Sequence, residues 1–143
     1  YLSINSNAEA NNTRTFWLSS STPNADNGNV FSSGLFPIYF NGGSNLTFFT
    51  SYETGNIITS TISQTSTWIF YAVTLTPTSM SVYVNGNLIQ TVSETYVGEN
   101  NPIQFEAYGY TGLIDDMRLY QSTLTATQIL AIYRNDNPPI VRT

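Results

Sequence analysis

The stretch that decides the fold is residues 68–92, WIFYAVTLTPTSMSVYVNGNLIQTV. Runs rich in β-branched and aromatic residues at 68–75, 79–84 and 88–92 are separated by Thr-Pro-Thr and then by Asn85-Gly86. Asn-Gly supplies the positive φ values that a two-residue type I′ hairpin requires. The stretch therefore predicts a three-stranded β-meander.

The middle run of this meander also has a defined face. Met80, Val82 and Val84 are spaced two apart, so their side chains share one side of the strand. Outside the meander, further β-type runs occur at 1–4, 15–18, 37–40, 46–50, 103–107 and 113–120. We expect Trp17 and Trp68 to be core residues, because each lies within such a run. The chain is predicted to be all-β.

In the last part of the chain, the spacing of apolar residues changes from a strand pattern to a helix pattern. Apolar positions from Leu124 to Tyr133 fit a short amphipathic helix, and Thr125 with Gln128 has the form of a capping box. The Asn- and Pro-rich residues 135–139 end it. One short C-terminal helix is therefore expected to follow the strands.

Length and composition indicate one domain. The 143 residues are 41% hydrophobic and 14% aromatic, which is enough to build a single core. The sequence starts at Tyr1 with no Met and no signal-like segment. We expect residues 1–143 to be one domain that was processed or excised from a longer protein.

The charge argues against two classes of partner. The formal net charge is −5, and the four basic residues are all Arg. Nucleic acids and anionic membranes are bound largely through Lys and Arg, so we expect neither partner, and no run approaches a membrane span. Sparse charge with abundant Ser, Thr and Asn instead suits an extracellular or virion-surface domain facing uncharged partners such as sugars.

Catalytic residues are scarce. The chain has no Cys and no His, which removes thiol nucleophiles, thiolate metal sites and the usual general base. Glycosidases need two placed carboxylates, but Glu94 and Glu99 straddle a turn and Glu106 is alone on its strand. We therefore predict that the chain is not an enzyme.

Asp115 and Asp116 are adjacent acids on one predicted strand. Strand alternation places them on opposite sides, where they cannot share one substrate. Asp115 is expected to point inward, and Asp116 is expected to pair with Arg118 on the surface. Asp115 would then share its face with Leu113, Met117 and Leu119. A structural role is favoured for both acids.

An oxygen-rich turn at residues 23–29 is the candidate metal site. Calcium prefers carboxylate and amide oxygens, and the candidate ligands are Asn24, Asp26, Asn27 and Asn29. The turn has one carboxylate and lacks EF-hand spacing, so a turn without metal is the alternative. Ca²⁺ is the one cofactor that the sequence suggests.

Two later turns hold the candidate ligand-binding residues. Tyr108 and Tyr110 flank Gly109, and Tyr rings can stack on sugars while their hydroxyls bond to them. The same groove could be lined by Tyr96, Glu99, Asn100 and Asn101. The alternative is that the Tyr rings pack the rim of the fold.

Two passages resemble the laminin-G-like, concanavalin A-like jelly-roll family. Residues 68–74 and 81–86, WIFYAVT and SVYVNG, are similar to its W-x-x-x-A-x-T and l-Y-v-N-G block. Residues 112–120, GLIDDMRLY, are similar to its G-x-I-D-D-v-R-i-Y ending, which continues to Tyr133. The blocks keep the family's order and separation, whereas residues 19–34 match no pattern.

The resemblance implies a fold and a class of function. The fold would be a jelly-roll sandwich of two antiparallel sheets with the short helix. The function would be lectin-like adhesion at an extracellular, cell or virion surface: a non-catalytic module binding carbohydrate or a glycosylated partner, with calcium at the rim in some members. The alternative is a structural module of a virion, fibre or cell surface that assembles by packing its jelly roll against copies of itself. A degenerate hydrolase domain is disfavoured by the missing acid cluster.

Overall fold

The computed structural model describes residues 2–7, 11–21, 27–32, 38–41, 45–49, 57–61, 67–93, 102–105 and 112–135. These residues form eleven strands and one helix. The strands are β1 (Leu2–Asn7), β2 (Asn12–Ser20), β3 (Asn27–Ser32), β4 (Ile38–Asn41), β5 (Asn45–Phe49), β6 (Ile57–Thr61), β7 (Ile69–Thr76), β8 (Ser79–Val84), β9 (Asn87–Ser93), β10 (Pro102–Phe105) and β11 (Gly112–Tyr120). The helix is α1 (Ala126–Asn135).

The described strands form two antiparallel sheets. The six-stranded sheet has the order β1-β10-β3-β4-β5-β6, and the five-stranded sheet has the order β11-β2-β7-β8-β9. The predicted meander is confirmed, because β7, β8 and β9 are neighbours in one sheet. The sequence patterns did not predict β3 or β6.

The Asn-Gly hairpin between β8 and β9 has the expected backbone. Asn85 has φ 49° and Gly86 has φ 81°, as a type I′ turn requires. The Asn85 side chain also fixes the turn to β7, because Oδ1 accepts the Phe70 N–H at 2.9 Å while the Asn85 N–H donates to the Phe70 carbonyl at 2.8 Å. The turn is therefore held by the neighbouring strand.

Side chains from both sheets contribute to one apolar cluster. Phe48 of β5 lies 5.7 Å from Tyr71 of β7 between ring centroids, and Phe16 of β2 stacks on Tyr71 at 5.4 Å. The buried members are Phe16, Leu18, Ile38, Leu46, Phe48, Tyr71, Val73, Leu75, Met80 and Val82. The predicted apolar face of β8 belongs to this cluster, and we call this side of the five-stranded sheet the core face.

A second apolar cluster lies on the opposite side of the five-stranded sheet, which we call the helix face. Trp17 and Phe70 are buried there, and Tyr133 of α1 lies 5.9 Å from each ring. Trp17 is a core residue as predicted, and Trp68 is partly buried against the same cluster. The helix therefore covers apolar side chains that the sheet would otherwise expose.

The segment between β11 and α1 is fixed by hydroxyl groups. Thr13 Oγ1 donates to the Ser122 carbonyl and accepts the Leu124 N–H, both at 2.9 Å. The capping box is confirmed, since the Thr125 N–H donates to Gln128 Oε1 at 2.8 Å and the Gln128 N–H donates to Thr125 Oγ1 at 3.2 Å. These bonds set where the helix begins.

Candidate functional site

A β-bulge in the edge strand β11 places its polar residues. Ile114 pairs with Leu18 and Asp115 with Trp17, but the next aligned residue is Arg118, opposite Thr15. Three steps on β11 therefore match two on β2, and this extra residue reverses the alternation of faces. Paired residues share a face, so Asp115 and Arg118 both lie on the helix face.

The bulge corrects the predicted orientation of Asp115. Its carboxylate is exposed, whereas Ile114, Met117 and Leu119 pack against the core-face cluster. The prediction of an inward Asp115 is wrong, because it assumed unbroken alternation along the strand. Asp116 sits in the bulge with φ 50°, a left-handed conformation that Asp adopts more readily than most residues.

The predicted pair between Asp116 and Arg118 is confirmed. The guanidinium binds with both arms, Nε to Oδ1 at 2.9 Å and Nη2 to Oδ2 at 2.8 Å. Arg118 Nη1 also donates to the Tyr120 hydroxyl at 3.4 Å, and the Asp116 N–H donates to Asp115 Oδ1 at 2.7 Å. A bidentate pair of this kind fixes the planes of both side chains.

Together these residues form a polar strip along one edge of the sheet. We define the β11 strip as Leu113, Asp115, Asp116, Arg118 and Tyr120. The strip holds both acidic residues that lie within the described part of the chain. It combines an exposed carboxylate acceptor, a guanidinium that is already neutralised, a phenol and an exposed aliphatic side chain. Such groups can accept and donate hydrogen bonds to a polyhydroxylated ligand.

The β11 strip is better suited to hydrogen bonding with a ligand than to acid–base catalysis or metal binding. Of its two carboxylates, Asp116 is held by Arg118, which leaves Asp115 as the one exposed acid in the regions that the structure covers. Inverting and retaining glycosidases alike require two carboxyl groups across the bond that is cleaved. No group of three His, Cys, Asp or Glu residues occurs within the described ranges.

The predicted site residues fall mostly on other parts of the chain. The positions outside the described residues are Asn24, Asp26, Tyr96, Glu99, Asn100, Asn101, Tyr108 and Tyr110. Asn27 and Asn29 are described, and both lie in β3, paired with Asn41 and Tyr39 of β4. The expectation of a turn through these two residues is wrong, because their backbone joins the six-stranded sheet.

A row of hydroxyl residues crosses the helix face, and the sequence patterns did not predict it. Tyr120, Thr13, Thr74, Ser81 and Thr91 are aligned across all five strands of the sheet. Thr13 and Thr74 are buried, whereas Ser81 and Thr91 bond to each other at 2.8 Å at the more exposed end. The accessible hydroxyls of the row lie on β8 and β9, toward the edge of the helix face opposite the β11 strip.

The family comparison agrees with this architecture. A laminin-G-type family model, described as the concanavalin A-like lectin/glucanases superfamily, matches residues 1–130. The chain belongs to this superfamily. The resemblance seen in the sequence is thus confirmed, and the match also covers residues 19–34, for which no pattern was apparent. No curated protein sequence gives a significant match.

Solved structures of the same fold include receptor-binding domains of botulinum neurotoxins. The serotype D/C VPI 5993 binding domain has a TM-score of 0.72 at 18% identity. The alignment covers 87% of the present chain and 36% of the neurotoxin chain. The DC binding domain in complex with rat synaptotagmin II has a TM-score of 0.71 at 17% identity, covering 87% and 35%. A structure of type C, a neurotoxin whose cell entry is described as dependent on two ganglioside molecules, has a TM-score of 0.70 at 17% identity with the same coverage.

These similarities concern the fold. The concanavalin A-like chain spans just over a third of the length of each of these neighbours. No helix among its described residues is long and apolar enough to cross a membrane.

Proposed function

We propose that this chain is a non-catalytic recognition domain that binds carbohydrate or a glycosylated surface partner. The observation that carries the proposal is membership of a superfamily of lectins and glucanases over residues 1–130. The β11 strip supports the lectin side of that choice, because its exposed Asp115 carboxylate can accept hydrogen bonds but has no second carboxylate opposite it in the described structure.

The structural neighbours support the same class of function. Neurotoxin binding domains are described in complex with SialylT and with rat synaptotagmin II, and cell entry of type C is described as dependent on two ganglioside molecules. By analogy, the partner of this chain is a glycan or glycoprotein. The apolar cluster shared by the two sheets supports a jelly-roll sandwich as the scaffold. We further propose that this scaffold is displayed at an extracellular, cell or virion surface.

In the proposed mechanism, aromatic rings stack on the sugar and polar side chains form hydrogen bonds with its hydroxyl groups. Tyr108 and Tyr110 stack on a sugar face, and hydrogen bonds to its hydroxyls come from Tyr96, Glu99, Asn100 and Asn101. Calcium would be bound by the oxygen atoms of Asn24, Asp26, Asn27 and Asn29. Affinity for one site is expected to be weak, and multivalent display in a larger parent protein would raise it.

A glycan array with and without a chelator tests this proposal. Binding that is lost with the chelator supports the calcium loop, and binding that survives it supports the Tyr pair. Tyr108→Ala with Tyr110→Ala should then abolish the signal, whereas Thr127→Ala on the exposed side of α1 should not. Absence of binding to every glycan in both conditions would contradict a carbohydrate-binding function.

A second candidate is an assembly module, which a specific observation favours. The two edge strands of the five-stranded sheet carry exposed aliphatic residues: Leu88 is 53% exposed, Ile89 42% and Leu113 46%. Residues 67–93 contain no charged side chain that would discourage edge-to-edge pairing. Sedimentation velocity over a range of concentrations tests it: association that Ile89→Lys abolishes supports assembly, and a monomer at all concentrations contradicts it.

A further inference from the structure

We propose that the glycan bound by this domain is uncharged, and that the acidic β11 strip disfavours sialylated and sulfated glycans. The inference rests on the proposed recognition function and narrows its ligand class. It follows from where the cationic groups of the chain are located and from what they already bind.

The chain has few cations with which to hold an anion. Its basic residues are four Arg, with no Lys and no His. Arg14 lies on β2 with 2% of its surface exposed, which removes it from the ligand-accessible surface. Arg118 is neutralised by the bidentate pair with Asp116. Neither guanidinium is therefore available to a carboxylate or sulfate on a sugar.

The third described cation is Arg134. It lies in the last turn of α1, where a positive side chain complements the partial negative charge of the helix C-terminus. Arg142 lies outside the described residues. A single exposed Arg134 would have to offset the field of a chain whose formal net charge is −5.

The β11 strip adds local repulsion to this shortage. Its formal charges are two carboxylates and one guanidinium, and the unpaired negative charge belongs to the exposed Asp115. An ionised carboxylate is an acceptor only, so Asp115, whose Oδ1 already accepts the Asp116 N–H, can take only donors from a ligand. Sugar hydroxyls supply such donors, whereas a sialate or sulfate brings further acceptors and a like charge.

The hydroxyl row adds uncharged groups toward the opposite edge of the helix face, on β8 and β9. Ser81 and Thr91 at its accessible end, and Thr76 bonded to Ser79 at 2.7 Å nearby, are uncharged donors and acceptors. They match the hydroxyls of a neutral sugar and offer no counter-charge to an anionic one. The described surface is therefore complementary to a neutral polyhydroxylated ligand.

Matched glycan pairs test the inference on the purified chain. Each pair is a neutral glycan and its sialylated or sulfated derivative, such as lactose and sialyllactose, immobilised at equal density. We expect the neutral member to bind on the order of fivefold more tightly, which corresponds to about 1 kcal/mol of like-charge repulsion near the strip. The difference should shrink at about 1 M salt, where the Debye length falls to about 3 Å.

The outcomes separate this inference from the proposed function. Equal or tighter binding of the acidic member would overturn the neutral-ligand inference and leave carbohydrate recognition standing. Binding of neither member across the array would overturn both. If acidic glycans bind, loss of that signal in Arg134→Gln would identify the cation that the inference had discounted.

Two substitutions that each remove one negative charge test whether the β11 strip disfavours acidic glycans. Asp116→Asn removes one negative charge and releases Arg118, and Asn tolerates the left-handed φ of the bulge. Asp115→Asn removes the same charge but leaves the bidentate pair intact. We expect Asp116→Asn to reduce the difference in affinity between neutral and acidic glycans more than Asp115→Asn does. Thermal unfolding should confirm that both variants fold. An unchanged difference in both variants would refute the role of the β11 strip.

Discussion

The structure predicts that substitution of Gly86 lowers the stability of the fold. A Cβ at this residue would lie 2.7 Å from Leu130 Cδ1 and 3.2 Å from Tyr133 Cδ1, and its φ of +81° is strained for any L side chain. The left-handed backbone costs about 1–2 kcal/mol, and forcing a methyl group into the packed contact costs about 1–3 kcal/mol. Gly86→Ala should therefore lower the free energy of unfolding by about 3 kcal/mol, and lower Tm by on the order of 10 °C.

Urea unfolding followed by Trp fluorescence measures this loss, because Trp17 lies in the cluster that α1 covers. Leu130→Ala provides the matched background, since it removes the nearest atom without changing the hairpin backbone. In that background the contact with Tyr133 Cδ1 remains, so Gly86→Ala should cost less than in the native background but at least the backbone part, about 1–2 kcal/mol. A total loss below about 1 kcal/mol would refute the reasoning, because the left-handed backbone alone should cost at least that much; an equal loss in both backgrounds would show that Leu130 moves aside at no cost.

Three further predictions concern hydrogen bonds. Asn85→Ala removes the acceptor of the Phe70 N–H and should cost about 1–3 kcal/mol in urea unfolding; a neutral result would mean that water replaces the side chain. Thr13→Val keeps the shape of a fully buried residue but leaves the Leu124 N–H and the Ser122 carbonyl without their partner. Its expected cost is about 2–3 kcal/mol, and an unchanged urea midpoint would contradict it. Thr125→Ala removes the helix N-cap and should cost about 1 kcal/mol, seen as a lower Tm by circular dichroism, while retention of Tm would show that the capping box is dispensable.

The sequence predicted the regular parts of the fold because those parts follow local rules. Period-two alternation and the Asn85-Gly86 turn specify the meander, and the capping box specifies the start of α1. Two strands were missed for physical reasons. β3 begins Asn-Gly-Asn, which is also the composition of a turn, and β6 reads IITST, which lacks a clear alternation of apolar and polar residues.

The candidate site was harder to predict because it depends on register. The bulge at Asp116 reverses every face after it, and nothing in the letters IDDMR indicates that one residue will be left out of the pairing. The hydroxyl row likewise exists only through the alignment of residues from β11, β2, β7, β8 and β9. The contact between Asp116 and Arg118 was predictable, since it needs only two residues that are close in sequence.

The two sequence blocks that identify the superfamily meet in space, and this explains what they can report. The first block ends at Asn85 and Gly86, and the second ends in α1, whose Leu130 and Tyr133 pack on Gly86. Tyr133 also lies against Phe70, the residue whose backbone holds Asn85. The ends of both blocks are thus engaged in joining the hairpin, β7 and the helix. Contacts of this kind select for fold, so ligand recognition is left to side chains outside them, and in the described structure these include the β11 strip within the second block and the hydroxyls of Ser81 and Thr91.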